Sequence, residues 1–191
     1  MKRIIFLLAI AMAVPAFGLM RSPRPGDRIG VLRMSDRFLY GAERTVANAL
    51  QHDLRDELRN LGFSAFDARM TYDDLLHRGP EDADFYVEVV SSRASGRPMG
   101  GVGAAVGNVA VEVAVVVKQV AAEVRLYDGR TLNLIERYDF EKRSTAVVPT
   151  GIGIGGRSIW AEIMLPFVEY GQYRAAAHDV ARQAAARIAG Q

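Results

Sequence analysis

The most regular apolar pattern in the sequence lies within residues 43–61. Apolar residues recur there at spacings of three and four, which places them on one face of a helix: Val46, Leu50, Leu54, Leu58 and Leu61. Gly62 follows this stretch, and glycine ends helices readily because it adopts the left-handed conformation without a Cβ penalty. The same spacing predicts a closing helix over 172–189, whose apolar stripe is formed by Tyr173, Ala177, Val180, Ala184 and Ile188.

Short apolar runs on either side of the first helix predict strands. They cover residues 29–34, 63–68 and 83–90. Thr71 is suited to cap a short helix over 72–77, because its hydroxyl can accept a hydrogen bond from a free backbone N–H of the first turn. The resulting order is strand, helix, strand, helix, strand, and this order favours helices packed on one sheet.

A long β-type stretch over residues 108–128 dominates the second half. Its apolar positions change from odd to even numbers near Lys118-Gln119, so we expect a bulge or break at that point. Asp128-Gly129 predicts a tight hairpin turn, since both residues tolerate positive φ. The returning strand is predicted over residues 131–142. The chain as a whole is therefore predicted to be an α/β (α+β) domain. It would have one mixed sheet of about four or five strands with helices packed on it, a long C-terminal β-hairpin and a closing helix.

The N-terminus has the pattern of a secretory leader. Lys2 and Arg3 form a positive start, residues 4–14 are apolar, and Pro15 is followed by small residues at Ala16 and Gly18. We therefore expect residues 1–18 to be a cleavable signal peptide, with an uncleaved anchor as the alternative. Residues 19–27 are rich in proline and predict a linker, and residues 28–190 a single envelope domain. The expected location is the periplasm, with association to the outer membrane as an additional hypothesis.

Composition and charge exclude several kinds of protein. The 191 residues contain 24 Lys and Arg, 22 Asp and Glu, and no cysteine. Removal of Lys2 and Arg3 leaves equal numbers of basic and acidic residues, and no basic stripe stands out, so nucleic acid is not an expected partner. The absence of cysteine excludes disulfides, a thiolate metal site, a cysteine nucleophile and a lipid-modified N-terminal cysteine.

Residues with catalytic potential are few. His52, His77 and His178 have no second histidine or carboxylate at a metal-ligand spacing that suits their helix faces. Residues 151–156 satisfy G-x-G-x-x-G, the pattern of dinucleotide-binding proteins. A helix should follow this motif, but Pro166 interrupts that stretch, and the motif lies late in the chain. We therefore predict that the protein is not an enzyme and that it uses no metal and no cofactor.

The element order resembles an envelope α/β domain shared by several bacterial proteins: the TolB N-terminal domain, the curli secretion channel lipoprotein and the penicillin-binding-protein activator lipoproteins. The matching stretches are Arg28-Ile-Gly-Val-Leu-Arg33, the helix ending in Leu61-Gly62-Phe63, the strand within 82–90, the hairpin of 123–131 and the alanine-rich last helix. The resemblance covers roughly residues 28–190 and implies no catalytic residues. Those lipoproteins carry a cysteine after the signal peptide and this chain has none, so it would be a soluble secreted relative or be attached by other means.

Two glycine-rich apolar segments, 98–119 and 146–168, fall where the curli channel family places its membrane-crossing hairpins. A membrane hairpin should alternate apolar with polar residues, and these segments do not. We interpret them as flexible loops and buried strand ends, with contact to lipid or to an oligomer partner as the alternative. The candidate contact residues are Val102, Val106, Ile152, Ile154, Trp160 and Phe167.

These observations favour a non-enzymatic exported envelope protein that binds another envelope protein or acts as an assembly module. A second hypothesis is an outer-membrane-associated oligomer or secretion component that uses the two glycine-rich segments, with contact to the membrane surface. A third hypothesis is a periplasmic hydrolase whose site forms only in three dimensions. The fold-based link to function is one of analogy, because one fold supports many functions.

Overall fold

A computed structural model describes residues 21–34, 42–106, 109–153 and 159–191. The signal-peptide prediction for residues 1–18 lies outside this part of the chain. The elements in chain order are β1 (Arg28–Val31), α1 (Ala42–Asn60), β2 (Ser64–Asp67), α2 (Tyr72–Arg78), β3 (Phe85–Val106), β4 (Val109–Asp128), β5 (Leu134–Gly153) and α3 (Ile159–Ile188).

The strands form one mixed sheet in the order β2-β1-β3-β4-β5. β1 pairs in parallel with both β2 and β3, whereas β3, β4 and β5 pair antiparallel to one another. The parallel strands are connected through helices, as parallel pairs require. This arrangement confirms the predicted fold class, including the long hairpin and the closing helix.

The main core lies between the sheet and two helices, α1 and α3. The predicted stripe of α1 is confirmed, since Val46, Leu50, Leu54 and Leu58 are each at most 1% exposed. The stripe of α3 packs beside it and contributes alanines that allow close approach: Ala176, Ala177, Ala181, Ala184 and Ala185. Burial of one leucine-sized side chain contributes about 1.5–3 kcal/mol, so these two stripes are a major source of stability.

A smaller apolar cluster covers the opposite face of the sheet at the start of β3. It joins Leu75 of α2 to Leu32, Tyr86 and Tyr127. α2 is fixed at its start by Thr71, whose hydroxyl accepts a hydrogen bond from the Asp74 backbone N–H, while Asp74 reaches back to the Thr71 backbone. The first part of β3 is therefore buried on both faces.

The three C-terminal strands are much longer than the sequence pattern indicated. β3 continues beyond Val90 to Val106, and β5 continues to Gly153. The interpretation of residues 98–106 and 146–153 as flexible loop is therefore wrong, whereas residues 109–119 belong to β4, as the predicted strand over 108–128 indicated. The physical reason is that each extension forms backbone hydrogen bonds with its neighbour, apart from register shifts between Pro98 and Gly101 and between Glu112 and Val113. This pairing is non-local, and local glycine content conceals it.

The expected bulge at Lys118-Gln119 is also absent. Lys118 pairs with Gly96 on one side and Ser144 on the other, and the register continues unchanged through Gln119. Lys118 instead takes an apolar position, because its stem is buried and its ammonium lies 5.1 Å from the centre of the Tyr173 ring. Odd-numbered and even-numbered residues of β4 therefore stay on opposite faces on both sides of Lys118. The apolar positions change from odd to even because the contacts of each face differ before and after this point.

The connection after β4 is longer than a two-residue hairpin turn. It is closed by backbone bonds from Leu132 N–H to Asp128 and from Asp128 N–H to Asn133. The Asp128 carboxylate accepts bonds from the backbone of Arg130 and Thr131, which stabilises the turn. Strand β5 consequently starts at Leu134, three residues later than predicted.

The described part of the predicted linker, residues 21–27, contacts the domain. Gly26 donates a backbone hydrogen bond to Gly62, and Ser64 donates one to Asp27. The Asp27 side chain is buried and pairs with Arg21. This segment is therefore fastened beside the end of α1.

Helix α3 begins at Ile159, well before the predicted start at residue 172, and it runs through Pro166. The proline does not interrupt the helix, so that part of the reasoning from sequence is wrong. Proline in a helix interior removes one hydrogen bond, a cost that packing of the helix along β4 and β5 offsets. Across the described ranges, no helix combines the length and the apolarity that crossing a membrane requires.

We expect Gly129→Ala to destabilise the fold by at least about 2 kcal/mol. A Cβ at this position would lie 2.1 Å from the Ala83 carbonyl oxygen, which belongs to the backbone and cannot turn aside. Urea titration should show this loss. Gly171→Ala is the matched control, because nothing lies within 4 Å of its Cβ position, and alanine should stabilise that helix by about 0.5–1 kcal/mol. Equal stability of the two variants would contradict the close approach.

Candidate functional site

The most unusual feature of the molecule is a continuation of three strands past the described core. That core reaches Ala94 on β3 and Val120 on β4, which pair with each other. Beyond this level lie residues 95–106, 109–119 and 143–153, here called the distal strands. At about 3.3 Å per residue they extend the sheet by roughly 35 Å.

The distal strands are almost free of charge. Glu112 is the only charged residue in the sequence between Arg97 and Lys118, and residues 146–153 contain none. On β4, Val115 and Val117 are half-buried on the face opposite to α1 and α3. The described helix on that face, α2, packs at the other end of the strands against Tyr86 and Tyr127. Because Val115 and Val117 lie partly open in an apolar segment with little charge, this face of β4 is a candidate interaction site.

Two lysines at the base of the distal strands contact helix α3. Lys118 lies over Tyr173 of α3, and Lys142 of β5 makes an ion pair of 3.6 Å with Asp179. Both contacts join the sheet to α3 at the level where the distal strands begin. Sequence reasoning missed Lys118 as a contact residue, and its position at the change of apolar phase was the available signal.

Three of the predicted contact residues lie together in the distal strands. Val102 and Val106 of β3 pair with Val113 and Val109, and Ile152 of β5 pairs with Val111. The structure therefore places these positions in one three-stranded surface, although they come from two separate segments of the sequence.

The other predicted contact residues are placed differently. Trp160 and Phe167 belong to the first half of α3, which follows β5 in the chain. Ile154 lies outside the described residues, as does Gly156 of the glycine motif. Gly151 and Gly153 are strand residues of β5. This strand is antiparallel to its neighbour, whereas the dinucleotide motif belongs to a parallel strand-helix-strand unit.

A shallow groove of about 420 Å³ lies between α1 and α3. Its lining includes His52 and Asp53 of α1 and Tyr170, Tyr173 and Arg174 of α3. Tyr170 is 53% exposed, so the groove is open to solvent at this residue. The groove joins two helices that also form the core, and it brings together residues of both.

The two histidines of this region face carboxylates. His178 of α3 has its ring nitrogens 3.5 Å from Asp53 and 3.6 Å from Glu57 of α1. His52 lies 3.3 Å from Asp56. The carboxylates contact different ring atoms of His178, so they do not converge on one point. Within the described residues, no group of three or more acidic or histidine side chains is placed to hold a metal ion.

A buried carboxylate, Glu88, lies on the α2 face of the sheet. The Tyr127 hydroxyl donates a hydrogen bond of 2.8 Å to it, and the Tyr127 ring stacks on Tyr72 at a centroid distance of 4.3 Å. Burial raises the pKa of Glu88, and the Tyr127 hydrogen bond and the charge of Arg125 oppose this only in part. Burial also raises the pKa of Tyr127, together with its bond to Glu88. Glu88 belongs to β3, which lies between two other strands, and such a strand is often buried on both faces.

Comparisons with known proteins identify the fold. No model of a known protein family matches the chain, and no curated protein matches it either. Among solved structures, a minor lipoprotein from Acinetobacter baumannii is similar with a TM-score of 0.51 and 11% identity, over 88% of this chain and 94% of that one.

Two further lipoproteins give weaker similarities. An uncharacterized lipoprotein B from Nitrosomonas europaea has a TM-score of 0.44 and 15% identity, over 86% of this chain and 85% of that one. Lipoprotein GNA1162 from Neisseria meningitidis has a TM-score of 0.33 and 12% identity, over 74% and 94%. At these identities the likeness concerns the fold alone. The chain thus has an α/β fold similar to that of a bacterial lipoprotein, and the specific resemblance to TolB, the curli channel and the activator lipoproteins stays a prediction.

We expect Glu88→Gln to stabilise the protein at neutral pH. Because the pKa of Glu88 is raised in the folded state, folding favours its protonated form, and stability falls as the pH rises from the ordinary glutamate pKa through the folded value. Glutamine keeps an acceptor for Tyr127 and carries no charge. The gain should therefore vanish at pH values below the ordinary glutamate pKa.

Urea titrations of wild type and Glu88→Gln across the acid and neutral range measure this difference. Glu81→Gln, at an exposed position, is the control and should show little pH-dependent gain. A glutamine variant that is less stable than wild type at neutral pH would show that the ionised carboxylate contributes net stability there.

Proposed function

We propose that this protein is exported to the cell envelope and binds another protein through its distal strands, in a role of binding or assembly and not of catalysis. The observation that carries the proposal is the apolar surface of the distal strands, with Glu112 as its sole charged residue between Arg97 and Lys118. Apolar surface removed from water contributes about 25 cal/mol per Å², so covering this surface with a partner is favourable.

The backbone argues for a protein partner in preference to lipid. β5 is at the edge of the sheet, so its outward backbone groups need hydrogen bonds. Lipid cannot provide them, and open sheet edges do not occur within the hydrocarbon region of a membrane. A protein surface can cover the apolar faces and also bond to the edge. Membrane association stays the alternative, and it requires several copies that pair their edges.

Export is supported by the N-terminal residues. Lys2, Arg3 and the apolar run of residues 4–14, followed by Ala16 and Gly18, have the order of a secretory leader. The balanced charge of the remaining chain gives no electrostatic attraction to anionic lipid. An exported protein with a near-neutral surface and an apolar sheet extension suits a role in envelope assembly.

We expect bacterial expression of the full sequence to yield a periplasmic protein that begins at Leu19. The small side chains of Ala16 and Gly18 suit the cleavage site of the leader. N-terminal sequencing and intact mass after osmotic shock measure this directly. Retention of residues 1–18 in the isolated protein would contradict cleavage and favour the anchor.

We expect the double variant Val115→Lys/Val117→Lys to lose its envelope partner while the domain stays folded. Both residues are half-buried on the sheet face away from α1 and α3, so two charges there disrupt an apolar contact and spare the core. A photo-crosslinking amino acid at position 115 or 113 should capture one defined envelope protein in the native host. In the variant Val115→Lys/Val117→Lys, a crosslinker at position 113 should no longer capture that protein.

The matched control is Ala121→Lys, a half-buried position on the same face of β4 but outside the distal strands, and it should leave capture intact. Circular dichroism checks that each variant is folded. Flotation with vesicles of phosphatidylethanolamine and phosphatidylglycerol tests the alternative. Vesicle binding that Val115→Lys/Val117→Lys abolishes, without any protein crosslink, would contradict the proposal and favour membrane association.

A further inference from the structure

Strand β5 presents a free edge over its first half. It is the last strand of the sheet, and in the part of the chain that the structure describes no other element makes a backbone hydrogen bond to its outer side. A long free edge is a template for pairing with another strand. We propose that residues 136–142 pair with the same residues of a second copy, antiparallel and about a two-fold axis that passes by Asp139.

The charges of β5 favour this register. With Asp139 opposite itself, Glu136 lies opposite Lys142 of the second copy, and Arg137 lies opposite its Glu141. The two-fold axis repeats each contact, which makes four cross-strand pairs of opposite charge. Cross-strand pairs of opposite charge stabilise a sheet.

Neighbouring registers fit less well. A two-fold axis at Phe140 would place Arg137 opposite Arg143 and Asp139 opposite Glu141, which are pairs of like charge. An axis at Tyr138 would place Arg137 opposite Asp139 of the second copy, which is a favourable pair, but it would place Glu136 opposite Phe140. The register at Asp139 also keeps all of its charged pairs between Glu136 and Lys142, where β5 pairs regularly with β4, and avoids the register shift at Ile135.

Aromatic side chains add to the same contact. Tyr138 and Phe140 stack within one chain at a centroid distance of 6.2 Å and stay half-buried. In the proposed register Tyr138 lies opposite Phe140 of the second copy, and Phe140 lies opposite its Tyr138. Grooves run along both sides of this edge. One of about 680 Å³ is bounded by β5 and by Gln183 and Arg187 of α3, so it has room for side chains of the added strand.

The like-charge contact of Asp139 with itself has a local counterion. Arg137 lies 3.5 Å from Asp139 of its own chain and 3.1 Å from Glu123. In the dimer, Arg137 of each copy would therefore lie beside the two-fold axis and compensate part of the charge of its own Asp139. The inference does not rest on the proposed function, because it uses the first half of β5 and not the distal strands.

The first test is a charge exchange measured by sedimentation equilibrium of the purified protein. We expect the wild type to be in reversible equilibrium between monomer and dimer. Glu136→Lys and Lys142→Glu should each weaken the dimer about tenfold, since each creates two like-charge pairs. The double variant E136K/K142E should recover wild-type dimerisation. Positions 136 and 142 lie roughly 20 Å apart along one strand, so recovery can only come from contact between copies.

This design separates association from damage to the fold. Lys142 also pairs with Asp179, and the double variant lacks that ion pair just as the single variant does. Arg24→Glu, at an exposed position far along the chain from β5, is the charge-reversal control and should dimerise like the wild type. A protein that is monomeric at all concentrations, or a dimer that both single variants leave unchanged, would overturn the inference.

The second test determines the register by disulfide crosslinking of an introduced cysteine. The sequence contains no cysteine of its own, so only the introduced residue can form a disulfide. Directly opposed residues of antiparallel strands have Cα atoms about 4.5–5.5 Å apart, which suits a disulfide. Asp139→Cys should therefore form a disulfide-linked dimer under mild oxidation. Glu141→Cys should not, because the two copies of position 141 lie about 13 Å apart along the strands. Equal crosslinking of both variants would overturn the register.

Discussion

The contact between the even-numbered residues of β4 and the apolar stripe of α3 is the interaction on which the rest of the structure depends. Val120, Ala122, Val124 and Leu126 are at most 5% exposed, in a core that also contains the stripes of α1 and α3. Because β4 is regular through this region and pairs on both sides, the contact fixes the faces of β3 and β5 as well. It therefore determines which surface of the distal strands lies on the helix side and which lies away from it.

Two buried polar residues show how this sheet accommodates charge. Lys118 continues the apolar row of β4 with its stem and places its ammonium over Tyr173. Glu88 lies on the other face, where Tyr127 bonds to it and Arg125 compensates part of its desolvation. Buried charges are costly unless they are paired. In both cases a tyrosine contacts the charged group inside the sheet: Tyr173 for Lys118 and Tyr127 for Glu88.

Sequence reasoning identified the elements whose signals are local. The stripes of α1 and α3, the capping by Thr71 and the order of strands and helices agree with the structure, because they depend on residues a few positions apart. Reasoning from sequence failed for residues 98–106 and 146–153, where glycine content suggested loops. These residues form strands because their backbones pair with β4, and pairing partners far apart in the chain cannot be deduced from local composition.

The sequence by itself thus determined the fold class, the helix faces and the set of apolar residues that make up the candidate site. Only the tertiary structure decided that Val102, Val106 and Ile152 share one surface, that Glu88 is buried and that β5 has a free edge. The physical reason is the same in each case. Periodicity reports which side of an element is apolar, whereas burial and edges depend on which elements come to lie beside it.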